Sequence, residues 1–144
     1  SAEGVRNVLT ITGDPIPSAR RDEVKSVYNF NSRMLAGYVR SLGEELPVPF
    51  RVFGALNVNA KNMQVQLHLA QQKVKSGVNG FLTQPVLTAQ GMDALKQARD
   101  TLDPDVKILG GIIPIVSQRN ALFMNSEVAG ISVSQEIIDR YMAE

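Results

Sequence analysis

The chain has 144 residues, enough for one compact domain, and a formal net charge of +1. That balance gives no electrostatic case for a nucleic acid or an anionic membrane surface, and no apolar run reaches the length of a membrane span. With no cysteine, a disulfide framework and a thiolate metal site are excluded.

Residues 8–12 are a continuous β-prone run that ends on Gly13-Asp14-Pro15, which suits a parallel strand buried on both faces. Residues 15–27 read as a polar loop with two prolines. Asn31 or Ser32 then caps a helix whose apolar face is Met34, Leu35, Tyr38, Val39 and Leu42, closed by Gly43 and Pro47. Residues 50–56 form a second strand, followed by Asn57-Val58-Asn59. The next helix spans about 62–76, with Val65, Leu69 and Gln72 one turn apart and Gly77 as its stop.

Residues 80–83 are a third strand, and Thr88 caps a helix through Met92, Leu95, Ala98 and Leu102. A fourth strand covers 106–113 and ends at Pro114. Ser117 caps a short helix with Leu122, Phe123 and Met124, broken by Gly130. Ser132 or Ser134 starts a last helix with Ile137, Ile138 and Tyr141. The order is βα four times, which requires a parallel sheet with helical crossovers. An open doubly wound sheet and part of a (βα)₈ TIM barrel both fit this pattern.

In either architecture ligands meet the C-terminal ends of the strands. Those ends carry amides, hydroxyls and one carboxylate, with no His or Cys to favour a transition metal, so no metal site is expected. Asp14 can hold a heterocycle N–H by a charge-assisted hydrogen bond, or simply close an Asx-turn. Asn57 and Asn59 can donate to phosphate or ribose oxygens, but loop and capping roles suit them better. Gln84 offers a donor and an acceptor side by side, which fits a pterin edge or a satisfied strand-end amide. Tyr28 can stack on a cofactor or cover the core, and Lys73 can meet a phosphate or complement a helix dipole. His68, on a helix away from the strand ends, reads as a surface residue, and Arg119 as a solvated one. No dinucleotide fingerprint, P-loop or nucleophile elbow is present.

Five segments, taken in order, resemble the methylenetetrahydrofolate reductase family. They are residues 7–15, 26–28, 57–62, 80–85 and 111–120, and they span nearly the whole chain. The resemblance is nearest to the reductase portion of bifunctional homocysteine S-methyltransferase/methylenetetrahydrofolate reductases. It implies a (βα)₈ barrel with FAD at the strand ends, of which this chain supplies about four consecutive units. It implies reduction of 5,10-methylenetetrahydrofolate to 5-methyltetrahydrofolate with NAD(P)H, a step of one-carbon and methionine metabolism in the cytoplasm.

By the same resemblance, Asp14 is the catalytic aspartate beside flavin and pterin. Thr12, Gly13, Tyr28, Asn31, Asn57, Gln66 and Lys73 fall at cofactor-binding positions, and Gln84, Phe123 and Met124 at folate-binding ones. Asn31, Asn57 and Gln66 depart from the pattern of the single-domain enzymes. No segment matches the family's first strand with its general-acid glutamate. Residues 1–144 are therefore expected to be the C-terminal part of a barrel domain cut from a longer protein. The expected partners are the rest of the barrel, an upstream homocysteine methyltransferase domain and, for the isolated piece, a second copy. A non-catalytic flavin- or folate-binding module and an inactive half-barrel are the competing readings.

Overall fold

The computed structural model describes residues 4–12 and 30–141. Within them lie strands β1 (Asn7–Thr10), β2 (Arg51–Leu56), β3 (Gly80–Pro85) and β4 (Lys107–Gly111). Helices α1 (Ser32–Gly43), α2 (Met63–Lys75) and α3 (Ala89–Thr101) connect them, and α4 (Gln118–Glu127) and α5 (Gln135–Arg140) follow. The strands form one parallel sheet in the order β1-β2-β3-β4. This is an α/β fold with four parallel strands, as the βα repeat requires.

Each helix starts on a side-chain cap. Asn31, Asn62, Thr88, Ser117 and Ser134 accept hydrogen bonds from the amides of Met34, Val65, Gly91, Asn120 and Ile137. Such a cap satisfies an amide that has no partner within the helix and contributes about 1 kcal/mol.

Alternate residues of a strand face opposite sides of the sheet. Val52, Gly54 and Leu56 of β2 turn into the helical layer and are buried. There Val52, Leu56 and Phe81 pack with Ala36 of α1, Leu67 and Ala70 of α2, and Ala94 and Ala98 of α3. Alanines at the contact let the helices approach the sheet closely. The opposite face is apolar too, but it is uncovered. Leu9 pairs in register with Phe53, and Leu82 with Ala55 and Leu109. Leu9, Leu82 and Leu109 are 46%, 38% and 54% exposed.

A second, smaller core joins Ala121, Val133 and Ile138 with Leu87, Ile115 and Met124. A parallel bridge between Leu87 and Val133 ties α4 and α5 to the end of β3. The Tyr141 hydroxyl donates to the Ile115 carbonyl and closes this corner.

Several expected limits and faces shift. β1 stops at Thr10 rather than residue 12, and β4 stops at Gly111 rather than residue 113. Val65 and Leu69 of α2 are 50% and 44% exposed, while Leu67 and Ala70 face the sheet. On α1 the sheet contact is made by Ala36 and Val39, and Met34, Tyr38 and Leu42 lie exposed on another side. Both helices carry apolar residues on more than one side, so periodicity marks a helix without showing which side meets the sheet.

Phe81 is fully buried at the centre of the main core. Phe81→Ala should lower stability by about 3–5 kcal/mol, because a large cavity opens between sheet and helices. Urea unfolding of the chain measures this as a fall in the midpoint.

Candidate active site

The C-terminal strand ends share one rim, and two polar neighbourhoods sit on it. The first is a cleft of about 340 Å³ lined by Thr12, Asn31, Ser32, Arg33, Leu69, Gln72 and Lys73. Thr12 Oγ1 accepts from the buried Ser32 amide at 3.0 Å, and Asn31 Oδ1 accepts from the Met34 amide at 3.0 Å. These contacts fix the first turn of α1 against the end of β1. Arg33 donates to Gln72 Oε1 at 3.0 Å across the cleft.

Lys73 enters the cleft from α2, and its ammonium donates to the Ala55 carbonyl at 2.9 Å. The strand pattern explains this bond. The Val52 carbonyl accepts from the Asn79 amide and the Val52 amide donates to Asn79 Oδ1, both on the β3 side of β2. Phe53 and Ala55 therefore direct theirs to the β1 side. The Thr10 hydroxyl meets the Phe53 carbonyl there at 3.1 Å. Thr10 is the last paired residue of β1, opposite Gly54. The Ala55 carbonyl lies just beyond that pair and is taken by Lys73 instead. Burial without an opposing charge lowers the Lys73 pKa from its ordinary 10.5. Among the described residues neither Lys73 nor Arg33 pairs with a carboxylate. Among the described residues the cleft is lined by two cations and no acid, a donor set that suits phosphate.

The second neighbourhood is built on an irregularity. Leu82 pairs with Leu109 but Pro85 pairs with Gly111, so β3 carries one extra residue at its end. Such a bulge breaks the ladder and re-aims a side chain. Thr83 repairs the break: its hydroxyl accepts from the Gly111 amide at 2.9 Å and donates to the Gln84 carbonyl at 2.8 Å. Gly111 must be a glycine here, because a Cβ would lie 2.8 Å from the Thr83 oxygen.

The re-aimed residue is Gln84. It packs beside Gly130, in the turn between α4 and α5. A Cβ on Gly130 would lie 3.4 Å from Gln84 Cδ and 3.6 Å from Asn57 Nδ2. Asn57 and Gln84 are thus brought together around one backbone position. Asn57 Oδ1 is committed to the Asn59 amide at 2.9 Å, in an Asx-turn, which leaves its amide nitrogen beside Gly130.

The family model for methylenetetrahydrofolate reductase matches residues 1–143. The chain belongs to the methylenetetrahydrofolate reductase family. No curated protein sequence matches it. Methylenetetrahydrofolate reductases are generally flavin-dependent oxidoreductases, and the folate reaction is what the family suggests for this chain.

Against that family, the expected site residues divide. Thr12, Asn31 and Lys73 meet in the cleft, and Asn57 and Gln84 meet at the bulge. Gln66 is half-buried on α2 and is not among the residues lining the cleft. Met124 packs into the second core, whereas Phe123 is 56% exposed. Gly13, Asp14 and Tyr28 lie outside the described residues. Three features escaped sequence reasoning: Arg33 in the cleft, the bulge, and the Asn59 contacts described below. The neighbouring Thr83-Gln84-Pro85 and Gly110-Gly111 were the available signals for the bulge.

Two outcomes follow from this geometry. Gly111→Ala should lower stability by about 1–3 kcal/mol, as overpacking does, read from urea unfolding. The second concerns pH. The pKa of Lys73 is lower folded than unfolded, so between the two values the unfolded chain binds more protons. The stability difference between wild type and Lys73→Met should therefore rise with pH until the unfolded value near 10.5 is passed. A flat difference across alkaline pH would refute the buried-ammonium description.

Proposed function

We propose that this chain provides the flavin- and folate-facing part of a reductase that converts 5,10-methylenetetrahydrofolate to 5-methyltetrahydrofolate with NAD(P)H. The observation that supports this most is Gln84, set at the rim by a bulge and gathered with Asn57 around Gly130. A carboxamide pairs a donor with an acceptor, which matches the edge of a pterin.

The residues fit FAD. Lys73 and Arg33 would face its phosphates, with Thr12 and Asn31 holding the helix start beside them. Bound FAD supplies the hydride-transfer chemistry between nicotinamide and folate. By the resemblance, Gly13, Asp14 and Tyr28 would join them at the cofactor. Asp14 would hold a ring N–H by a charge-assisted bond and bias the electronics of the flavin. The exposed Phe123 would pack on the folate, while Met124 supports α4 from behind.

In this reading residues 1–144 are the C-terminal part of a (βα)₈ barrel domain of the kind found in the bifunctional homocysteine methyltransferase proteins. Further strands continue the sheet beyond β1 and β4 and cover Leu9, Leu82 and Leu109. A strand outside this sequence supplies the general acid. The isolated chain would shield the same face by associating with a second copy. Among the described residues no helix is long and apolar enough to cross a membrane.

Gln84→Leu is the direct test. It should weaken binding of 5-methyltetrahydrofolate about ten- to a hundredfold, the cost of one or two lost hydrogen bonds in a partly buried site. Titration calorimetry reads the affinity. Flavin absorbance measured alongside should be retained. Unchanged folate affinity would remove the folate assignment.

A further inference from the structure

We propose that Asn59 is a positioning residue: it clamps the Gly130 turn against Gln84 and so sets the orientation of the Gln84 carboxamide. Asn59 lies three residues beyond the end of β2 and is not among the residues lining the cleft. Its amide nitrogen donates twice, to the Pro85 carbonyl at 3.0 Å and to the Gly130 carbonyl at 2.9 Å. The first bond holds the chain immediately after Gln84. The second reaches 71 residues along the sequence to the turn that packs on Gln84. One side chain therefore fixes both the backbone of Gln84 and the surface its side chain rests on.

The cost of this arrangement is visible at the other end of the same group. Asn59 Oδ1 is buried with no hydrogen-bond partner among the described residues. An orphaned buried acceptor is unfavourable. Turning the amide over would set its oxygen against two carbonyls and forfeit both donated bonds. The orphan is thus tied to an orientation that the two carbonyls demand. Gly130 adds a second constraint. Its φ of +81° lies in the left-handed region, and Gln84 Cγ and Cδ stand 3.5 and 3.4 Å from where its Cβ would be. Glycine permits both the turn and the close approach. The Asn59 amide is itself held to Asn57 Oδ1, so the clamp also orients the second carboxamide of the pair.

This inference rests on the folate reading only for the consequence of moving Gln84, not for the movement itself. Two readouts on the full chain separate the two. The first is the Gln84 side-chain amide resonance in a nitrogen-15 spectrum, assigned by its disappearance in Gln84→Leu. Asn59→Ala should shift or broaden that resonance. Gly130→Ala, which pushes from the opposite side, should also displace it, and it serves if Asn59→Ala does not fold. The second is the affinity for 5-methyltetrahydrofolate. Asn59→Ala should weaken it about tenfold, and the double variant Asn59→Ala/Gln84→Leu should bind no more weakly than Gln84→Leu alone.

A Gln84 resonance unmoved in both variants overturns the proposal. So does full additivity of the two affinity losses. If Gln84→Leu leaves folate affinity unchanged while Asn59→Ala still moves the Gln84 resonance, the clamp stands and the folate reading falls.

Discussion

Among the described residues all four strands run in the same direction, and each pairs with its neighbours in the chain. Much else depends on that constraint. Parallel pairing forces every connection to cross from one end of the sheet to the other, so a helix must intervene each time. Consecutive crossovers of the same hand place α1, α2 and α3 on one side. The main core then forms there, from Val52, Leu56 and Phe81 against helical alanines. The same constraint gathers the C-terminal ends of all strands on one rim. Residues as far apart in sequence as Thr12 and Lys73, or Asn57 and Gly130, meet because of it.

Where the regular ladder fails, the rim gains polar groups. β1 ends at Thr10, and the next carbonyl on that side of β2 is met by Lys73. β3 gains a residue, and the ladder is closed by the Thr83 hydroxyl instead of a backbone group. Both events exchange a strand contact for a side chain. The sheet thus converts into a site within one or two residues of its edge, without a long loop between scaffold and chemistry.

The sequence exposed the parts of this design that depend on local chemistry. Four of the five caps, the four βα units and the glycine stop at Gly77 follow from residue types and their spacing. Gln84 was identifiable as a candidate because it sits in a segment that resembles the family, and Lys73 because it falls at a position the resemblance implies. The parts that depend on contacts across the chain were not legible. Val65 and Leu69 recur one turn apart with Leu67 and Ala70 flanking them, and it is the flanking pair that reaches the core. Asn59 looked like a loop residue, and its backbone does sit in an Asx-turn. Its bond to Gly130 is set by where α4 and α5 pack, which no local pattern encodes.

β2 links the two neighbourhoods. Its Ala55 carbonyl holds Lys73 on the β1 side, and Asn57, two residues on, stands with Gln84 on the β3 side. Strand geometry separates such positions by about 7 Å along the chain. A phosphate drawn to the half-buried ammonium would raise the Lys73 pKa back toward its ordinary value, since a nearby negative charge favours the protonated form. The carboxamides of Asn57 and Gln84 carry no net charge and suit a neutral, hydrogen-bonding ring edge. One strand end therefore divides the rim by charge: an anion-seeking side toward α1 and a neutral, directional side toward α4 and α5. A ligand set with a charged tether and a separate polar heterocycle meets both sides at once, and neither side alone would specify it.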